Sequence, residues 1–548
     1  EIRLSLVGSE MCIRDRADAQ YVSKVWVSDQ KDGTYINPII HADYSDPDVC
    51  AVGDDFYMTA SSFGCTPGLP ILHSKDLVNW RLANYALKEI EPTIFFNAPQ
   101  HGKGVWAPSI RYHNGEFFIY WGDPDWGIFM VKTKDPLGEW EKPVLVKAGK
   151  GMIDPTPLWD EDGKVYLVHA WAGSRAAFNS VITVCEMNAE GTKVISEPVL
   201  VFDGNDGVNH TIEGPKFYKR NGYYYILAPA GGVVTGWQLA LRSRNVYGPY
   251  ESKIVMAQGD TDINGPHQGG WVETCTGESW FINFQDKAMY GRVLHLNPVK
   301  WENDWPVIGE DKDGDGCGEP VKRYKKPDVG RIYPIETPIE SDEFNTRQLG
   351  LQWEWHANYQ DTFGFTSDLG YIRIYGHILS KDFVNFWEVP NLLLQKFPAE
   401  EFTATAKLKV SAKADGQQSG LIVMGWDYGY LGVVKEGDKF ILNQVVCKDA
   451  EQRSPETVTH LAELPVSRRF GAGLYPNYER DIYLQVKVTG GGICYFSYSL
   501  DGRKYTLAGV PFTARQGKWI GAKVGLFSTA PYGKERGWVD ADWFRIDK

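Results

Sequence analysis

Five segments within the first three hundred residues share one pattern, and this repeat constrains the fold more than any other feature of the sequence. Each segment has a small or proline-containing start, a few apolar residues, a turn with glycine, and an aromatic-rich strand. The segments begin at residues 46, 107, 154, 214 and 267, so successive starts are 61, 47, 60 and 53 residues apart. A strand-built repeat of about 50 residues is typical of a β-propeller, and five copies predict five blades.

The starts of the segments are predicted to meet at the propeller axis, because the innermost strand of each blade runs along the central channel. They carry Asp46, Asp154, Glu213 (directly before Gly214) and His267. Like charges in a narrow channel raise at least one pKa, and a carboxylate paired with a protonated acid is what glycoside hydrolysis requires. Taken singly, each aspartate has the alternative of a turn or cap role.

Two neighbouring acids, Asp43 and Asp48, have no counterparts in the other segments and are assigned that turn-and-cap role.

Composition excludes several classes of partner. The formal net charge of -13 argues against nucleic acid, and no apolar run is long enough to span a membrane. The aromatic content of 14% fits either aromatic strands or platforms for sugars. Eight scattered cysteines without a CxxC pair indicate neither a disulfide framework nor a metal cluster.

The chain divides into four parts. Residues 1–19 are interpreted as a non-native and processing segment, since Ala17 and Ala19 have the spacing of a signal-peptidase site, and a secreted or periplasmic bacterial protein is expected. Residues 20–325 form the predicted propeller, and 326–340 a proline-rich linker. Residues 341–548 alternate polar and apolar positions between turns, which predicts an antiparallel β-sandwich and an all-β protein.

Several motifs in order, "YSDPDV", "GVWAPS", "MIDPTP", "TIEGP" and "GPHQGGWV", resemble glycoside hydrolase family 43, in a form similar to its subfamily 12. The resemblance extends from about residue 35 to 325 and implies a five-bladed propeller acting with inversion. It implies that Asp46 is the general base, that Glu213 is the general acid, and that Asp154 orients the acid and keeps its pKa high. Inversion predicts that the carboxyl groups of Asp46 and Glu213 lie about 6.5–9.5 Å apart.

The same resemblance implies further site residues. Arg292 is expected to bind sugar hydroxyls, and Phe63 and Trp106 to form the apolar wall of the sugar subsite, against the alternative of core packing. His267 is expected to hold a central calcium ion or structural water, against the alternative of a satisfied core histidine. No cofactor is implied for the chemistry.

The second domain resembles the concanavalin-like domain that accompanies many family 43 xylosidases and arabinofuranosidases, and it is expected to pack on the propeller and wall the pocket. Asp342, Asp540 and Asp542 are candidate ligands of a structural calcium ion, against the alternative of solvated acids. The acidic loop 311–319 begins like an EF-hand, but Lys322 stands where the bidentate glutamate belongs, so it is interpreted as a turn.

The function implied is an exo-acting inverting hydrolase that releases terminal α-L-arabinofuranose from plant cell-wall polysaccharide or oligosaccharide (arabinoxylan, xyloglucan or arabino-oligosaccharides). The alternative is a β-D-xylosidase, or a bifunctional enzyme, acting on xylo-oligosaccharides. A non-catalytic carbohydrate-binding propeller is a remote alternative, which predicts the loss of at least one acid. Retaining fructan hydrolases are disfavoured because their first motif is of the Asn-Asp-Pro-Asn type and "YSDPDV" is not.

Overall fold

The structure is a computed structural model that describes residues 20–470 and 476–548. The predicted processing segment, residues 1–19, lies outside the described residues. The rest is nearly all β, which confirms the predicted fold class. Two four-residue helices occur in this part, α1 (Thr93–Phe96) and α2 (Gly173–Ala176), and no described helix has the length and apolar character to cross a membrane.

The first twenty-two strands belong to the propeller and its closing strap. In chain order they are β1 (Thr34–Ile36), β2 (Asp48–Val52), β3 (Asp55–Thr59), β4 (Gly68–Ser74), β5 (Trp80–Leu87), β6 (Trp106–His113), β7 (Glu116–Asp123), β8 (Gly127–Thr133), β9 (Val144–Ala148), β10 (Met152–Trp159), β11 (Val165–Trp171), β12 (Val181–Met187), β13 (Val199–Asp203), β14 (Lys216–Arg220), β15 (Tyr223–Ala230), β16 (Trp237–Ser243), β17 (Glu251–Met256), β18 (His267–Glu273), β19 (Ser279–Asp286), β20 (Arg292–Glu302), β21 (Trp305–Ile308) and β22 (Arg323–Lys325).

Each blade is an antiparallel sheet of four consecutive strands: β2–β5, β6–β9, β10–β13, β14–β17 and β18–β21. The first strands of the blades lie side by side, with β6 between β2 and β10, and β18 closes the ring against β2. A two-stranded strap, β1 with β22, ties the start of the propeller to its end. The five predicted blades are therefore present, and their first strands surround the axis.

Glycine turns set the hairpins between first and second strands. Asn114 and Gly115 have φ of 48° and 84°, and Asn221 and Gly222 have φ of 50° and 72°. Two successive residues with positive φ match the right-handed twist of paired strands, as the sequence predicts for these dipeptides.

The remaining seventeen strands form the second domain. They are β23 (Glu354–Trp355), β24 (Gly364–Ser367), β25 (Tyr371–Tyr375), β26 (His377–Ile378), β27 (Leu393–Lys396), β28 (Phe402–Ala412), β29 (Gln418–Met424), β30 (Tyr428–Glu436), β31 (Lys439–Cys447), β32 (Thr457–Leu464), β33 (Ser467–Phe470), β34 (Pro476–Thr489), β35 (Ile493–Ser499), β36 (Thr506–Leu507), β37 (Phe512–Thr513), β38 (Lys523–Ala530) and β39 (Trp538–Asp547). Short 3-10 turns occupy Ala288–Tyr290, Phe386–Glu388 and Ala450–Gln452.

These strands make a sandwich of two sheets. One has the order β23-β27-β38-β29-β30-β31-β32, with β26 beside β38, and the other has the order β24-β25-β39-β28-β34-β35-β36, with β33 beside β34 and β37 beside β35. The inner faces bury a single large apolar cluster, which includes Leu408, Leu421, Leu484 and Val539. Along β28 the alternate residues from Phe402 to Ala412 are buried, while Thr403, Lys407 and Lys409 on the other face are partly exposed, as expected for a sheet with one face in the core.

The sandwich is fixed to loops of the first two blades. Thr66 and Trp355 exchange backbone hydrogen bonds of 3.2 and 2.7 Å. The side chain of Asn358 bonds both backbone groups of Ile90, accepting from its N–H at 2.8 Å and donating to its carbonyl at 2.9 Å. The ring of His101 stacks on Trp387 at 3.5 Å. These paired contacts set the orientation of the second domain beside the pocket.

Candidate active site

The five blades begin with the same bend. The equivalent residues all have positive φ: Asp46 (56°), Ala107 (31°), Asp154 (57°), Gly214 (61°) and Gln268 (36°). Positive φ is uncommon outside glycine, so its recurrence marks a shared way of turning the chain at the axis. The predicted register needs one correction, because the fifth equivalent is Gln268 rather than His267.

The bends surround a pocket of about 250 Å³ at the mouth of the axis. Its lining includes every residue that the sequence predicts for catalysis or substrate binding: Asp46, Phe63, Trp106, Asp154, Glu213 and Arg292. Residues up to 246 positions apart are thus brought to one small volume: the register of the repeat predicts the three acids, and the family resemblance implies the other residues.

Three side-chain donors hold Asp46, which is 4% exposed. The hydroxyls of Ser45 and Ser61 donate to Oδ2 at 2.7 and 2.6 Å, and Arg292 Nη1 lies 3.2 Å from Oδ1 and 3.4 Å from Oδ2. The Ser61 hydroxyl in turn accepts from the backbone N–H of Ala107. The carboxylate therefore has a fixed orientation, and Arg292 faces both the acid and the pocket.

The other two acids form a second unit. The backbone N–H of Gly214 donates to Asp154 Oδ2 at 2.7 Å, which ties Asp154 to the residue next to Glu213. Glu213 Oε1 lies 3.0 Å from Nε2 of the fully buried His267. Burial first, and then repulsion by the Glu213 carboxylate, raise the pKa of Asp154 well above its usual range. Burial and the neighbouring Glu213 carboxylate therefore favour the protonated form of Asp154.

Two acids next to Asp46 are not turn or cap residues, and that prediction is wrong. Asp48 is fully buried and accepts from Arg111 Nη1 at 2.5 Å. Asp43 accepts from the backbone N–H of Arg292 at 2.8 Å and from that of Gly521 at 2.9 Å. Their partners lie 63, 249 and 478 positions away, so the local sequence gave no sign of them.

The predicted sandwich ligands for calcium do not form a cluster among the described residues. Each has its own partner: Asp342 accepts from Trp353, Asp540 from Arg373 and Asp542 from Lys407. Two of these contacts are ion pairs on the sheet surface, which already neutralise the carboxylates. A structural calcium ion at these residues stays a prediction.

Within the described ranges, one group of three side chains could converge on a metal ion, and it is the acidic loop at Asp311, Asp313 and Asp315. Asp311 accepts backbone N–H groups of its own loop, from Gly314 at 2.7 Å and Gly316 at 2.9 Å. These bonds agree with its interpretation as a turn.

The sequence did not point to Trp519, which the sandwich contributes to the pocket. Its ring meets Trp106 edge-on at 6.5 Å, and the guanidinium of Arg292 lies 5.7 Å from its centre. The sequence predicts a strand from residue 519 onward, but β38 begins at Lys523 and Trp519 lies in the preceding loop with φ of 65°. A large aromatic flanked by Gly517 and Gly521 was the available signal.

Comparison with known proteins agrees with this geometry. The model of glycosyl hydrolases family 43 matches residues 35–306, and the model of the β-xylosidase C-terminal concanavalin A-like domain matches residues 341–547. A β-xylosidase from Formosa agariphila is 33% identical over 568 residues, which cover 95% of this chain and 91% of that protein. The chain belongs to glycosyl hydrolase family 43.

Other family 43 relatives extend the comparison. A non-reducing end α-L-arabinofuranosidase from Bacteroides ovatus is 31% identical over 444 residues, covering 76% of this chain and 79% of that protein. A crystal structure described as a GH43_12 from a capybara gut metagenome has a TM-score of 0.73 and 25% identity, covering 90% of this chain and 95% of that one. The protein is therefore a family 43 glycosidase with the concanavalin-like second domain.

Proposed function

We propose that this glycosidase removes single pentose residues from the non-reducing ends of plant xylan fragments by an inverting mechanism, with β-D-xylosides as preferred substrates. The observation that carries the proposal is the meeting of Asp46, Asp154 and Glu213 in one pocket of about 250 Å³. A pocket of this size, walled by Trp519 of the sandwich, suits a terminal sugar better than the interior of a polymer.

Each acid has a role that follows from its contacts. Asp46, held by three side-chain donors, accepts a proton from a water molecule that attacks the anomeric carbon. Glu213 donates its proton to the glycosidic oxygen as the bond to the leaving group breaks. A single displacement inverts the anomeric centre. It also requires room for the water, which is the reason for the expected separation of about 6.5–9.5 Å between the two carboxyl groups.

Asp154 and His267 act through Glu213. Asp154 accepts from the N–H of Gly214 and so fixes the backbone that carries the acid. His267 Nε2 orients the Glu213 carboxyl at 3.0 Å. The role of holding a central calcium ion or structural water, which the family resemblance implies for His267, stays a prediction.

The choice of sugar rests on the relatives. The preference for α-L-arabinofuranose expected from the sequence is not confirmed, and most named relatives, including those from Formosa agariphila and Bacillus subtilis, are β-xylosidases. The arabinofuranosidase from Bacteroides ovatus supports α-L-arabinofuranosides as the second candidate. The two sugars present similar hydroxyl arrangements, so one pocket can accept both.

The test compares p-nitrophenyl β-D-xyloside and p-nitrophenyl α-L-arabinofuranoside with the wild type, Asp46→Ala, Glu213→Ala and the loop control Asp315→Ala. We expect faster hydrolysis of the xyloside, release of the inverted α-anomer by NMR, and losses on the order of 100-fold or more for the first two variants alone. Faster hydrolysis of the arabinofuranoside would reverse the substrate assignment. Retained activity in Asp46→Ala or Glu213→Ala would refute the residue roles, and a β-anomer as first product would refute inversion.

A further inference from the structure

A buried cation lies beneath the catalytic acids and takes no part in the reaction described above. Lys216, the first residue of β14, is fully buried. Its ammonium donates to the carbonyl of Pro108, in the second blade, at 3.1 Å. A lysine buried to this degree is rare unless it is paired with opposite charge, so its partners at the axis need to be identified.

Lys216 belongs to a layer one step below the pocket. Two residues after each bend, the first strands place Asp48, Ser109, Thr156, Lys216 and Gly270. Three of these side chains donate to prolyl carbonyls of other blades, with Ser109 bonded to Pro155, Thr156 to Pro215 and Lys216 to Pro108. The layer is built from the same register as the acids, and its ammonium therefore lies on the axis directly below them.

Two of the three cations at the axis form ion pairs with one acid each, and the third, Lys216, does not form one within the described part of the chain. The acids are Asp46, Asp48, Asp154 and Glu213, and the cations are Arg111, Lys216 and Arg292. Arg111 pairs with Asp48 at 2.5 Å, and Arg292 lies 3.2 Å from Asp46. Lys216 is the remaining cation for Asp154 and Glu213. When one of Asp154 and Glu213 carries a proton, three carboxylates face three cations and the centre is neutral.

The electrostatic response of these groups links Lys216 to Asp48, Asp154 and Asp46. Burial lowers the pKa of Lys216, while attraction first by Asp48 and then by Asp154 and Asp46 opposes the decrease. Attraction by Lys216 likewise opposes the increase that burial causes in the pKa of Asp154. The ammonium and the acids above it thus stabilise each other's charged forms.

A central calcium ion, which the family resemblance implies, does not fit this axis. His267, its expected holder, directs Nε2 at Glu213 and has only its buried Nδ1, unpartnered among the described residues, left for a water-mediated contact. A divalent cation would also meet the ammonium of Lys216 and the guanidinium of Arg111 in a medium where like charges repel strongly. The axis already carries its positive charge.

We propose that Lys216 is a positioning residue whose ammonium takes the place of a central metal ion, so that catalysis is independent of metals and the acids keep their working ionisation. It acts through Asp154 and Glu213 and does not touch the substrate. Loss of its charge leaves the centre with one excess negative charge. The acids then hold protons to higher pH, and both limbs of the pH profile move upward.

The main test is the pH dependence of kcat/KM for p-nitrophenyl β-D-xyloside in Lys216→Met. We expect a loss of 10-fold or more at the wild-type optimum and an upward shift of both limbs on the order of one pH unit. The matched control is Lys435→Met, which removes another buried lysine, paired with Asp415 in the sandwich, and should leave the profile unchanged. Unshifted limbs in a folded Lys216→Met protein would overturn the proposal, because a purely structural defect lowers activity without moving them.

A second arm uses the wild type, so that a misfolded variant does not end the test. Enzyme dialysed against a chelator should keep full activity and contain less than one tenth of an equivalent of metal by mass spectrometry. Added Ca²⁺ should change kcat/KM by less than 2-fold. A 10-fold loss on chelation that Ca²⁺ restores would overturn the proposal. If Lys216→Met is insoluble, Lys216→Gln replaces it in the pH measurement.

Discussion

The pocket is built by two regions that encode their residues in different ways. The propeller supplies the acids, each at the bend of a blade, and the repeat makes their positions visible in the sequence. The sandwich supplies Trp519 from a single loop, and no repeat in the sequence predicts its position. The difference separates the two tasks, because the repeated unit carries the chemistry and the appended domain shapes the space in which a sugar binds.

Removal of the whole sandwich should have the largest effect on the enzyme. A propeller ending near residue 330 loses Trp519, the backbone pairing at Thr66 and the N–H that Gly521 donates to Asp43. It also exposes the apolar surface beneath, so we expect an insoluble or nearly inactive protein. Solubility and hydrolysis of p-nitrophenyl β-D-xyloside provide the measurement. Wild-type activity in a soluble truncated propeller would mean that the sandwich is dispensable.

The substitution Asp154→Asn tests the contribution of the propeller, because it keeps the shape of the side chain and removes its charge. We expect activity to fall by about 10- to 100-fold, since the carboxylate that accepts the Gly214 N–H and fixes the backbone beside Glu213 becomes a neutral amide. At neutral pH the free energy of unfolding should increase in this variant. The folded pKa of Asp154 is raised, so its contribution is present below the unfolded pKa and is lost as pH rises through the folded value.

Thermal unfolding at pH 4 and pH 7 checks the second part of that prediction. The asparagine variant should be more stable than the wild type at pH 7, with a smaller difference at pH 4. Equal stability at both pH values would show that the carboxyl does not carry the expected cost.

The substitution Trp519→Ala tests the contribution of the sandwich to substrate binding. Loss of a ring that lines the pocket should reduce kcat/KM for the xyloside by about 10-fold, mainly through KM, because the acids remain in place. Tyr532→Ala is the control, since this exposed sandwich residue does not line the pocket. A fall in kcat with unchanged KM would instead assign Trp519 to the alignment of the acids.

The interface between the regions should weaken in acid. Burial lowers the pKa of His101 to about 4, against 6.5 for a free histidine. Between these values the unfolded chain binds a proton that the folded protein does not, so stability decreases as pH falls from about 6.5 to 4. His101→Gln should reduce the difference in melting temperature between pH 7 and pH 5, whereas the exposed His460→Gln should not. An identical difference in both variants would contradict the prediction.

The sequence predicted the elements that repeat and missed those that depend on tertiary contact. Five starts in one register were enough to place Asp46, Asp154 and Glu213 together, because equivalent strand positions in a propeller converge. Asp43 was assigned to a turn because its bonds to Arg292 and Gly521 join positions 249 and 478 residues away. Trp519 was assigned to a strand because a short apolar run does not show where its first hydrogen bond begins.

The bend at the start of each blade also limited the prediction. His267 fits the aligned start of the fifth segment by sequence, yet the residue with the shared positive φ is Gln268. One position of difference turns His267 from an axial residue into a partner of Glu213. A bulge at this point, where the pairing of β18 with β19 shifts register after His267, is not apparent from residue types alone.

The two oxygens of Asp43 bind backbone groups from two parts of the chain that are synthesised at different times. One oxygen holds the backbone of Arg292, which reaches into the pocket, and the other holds Gly521, near the end of the chain. During synthesis the blades emerge first. The Asp43 oxygen that accepts from Gly521 has no such partner until more than two hundred residues after Arg292 have been translated. We therefore expect that a truncated propeller holds Arg292 through a carboxylate that lacks one of its two backbone donors.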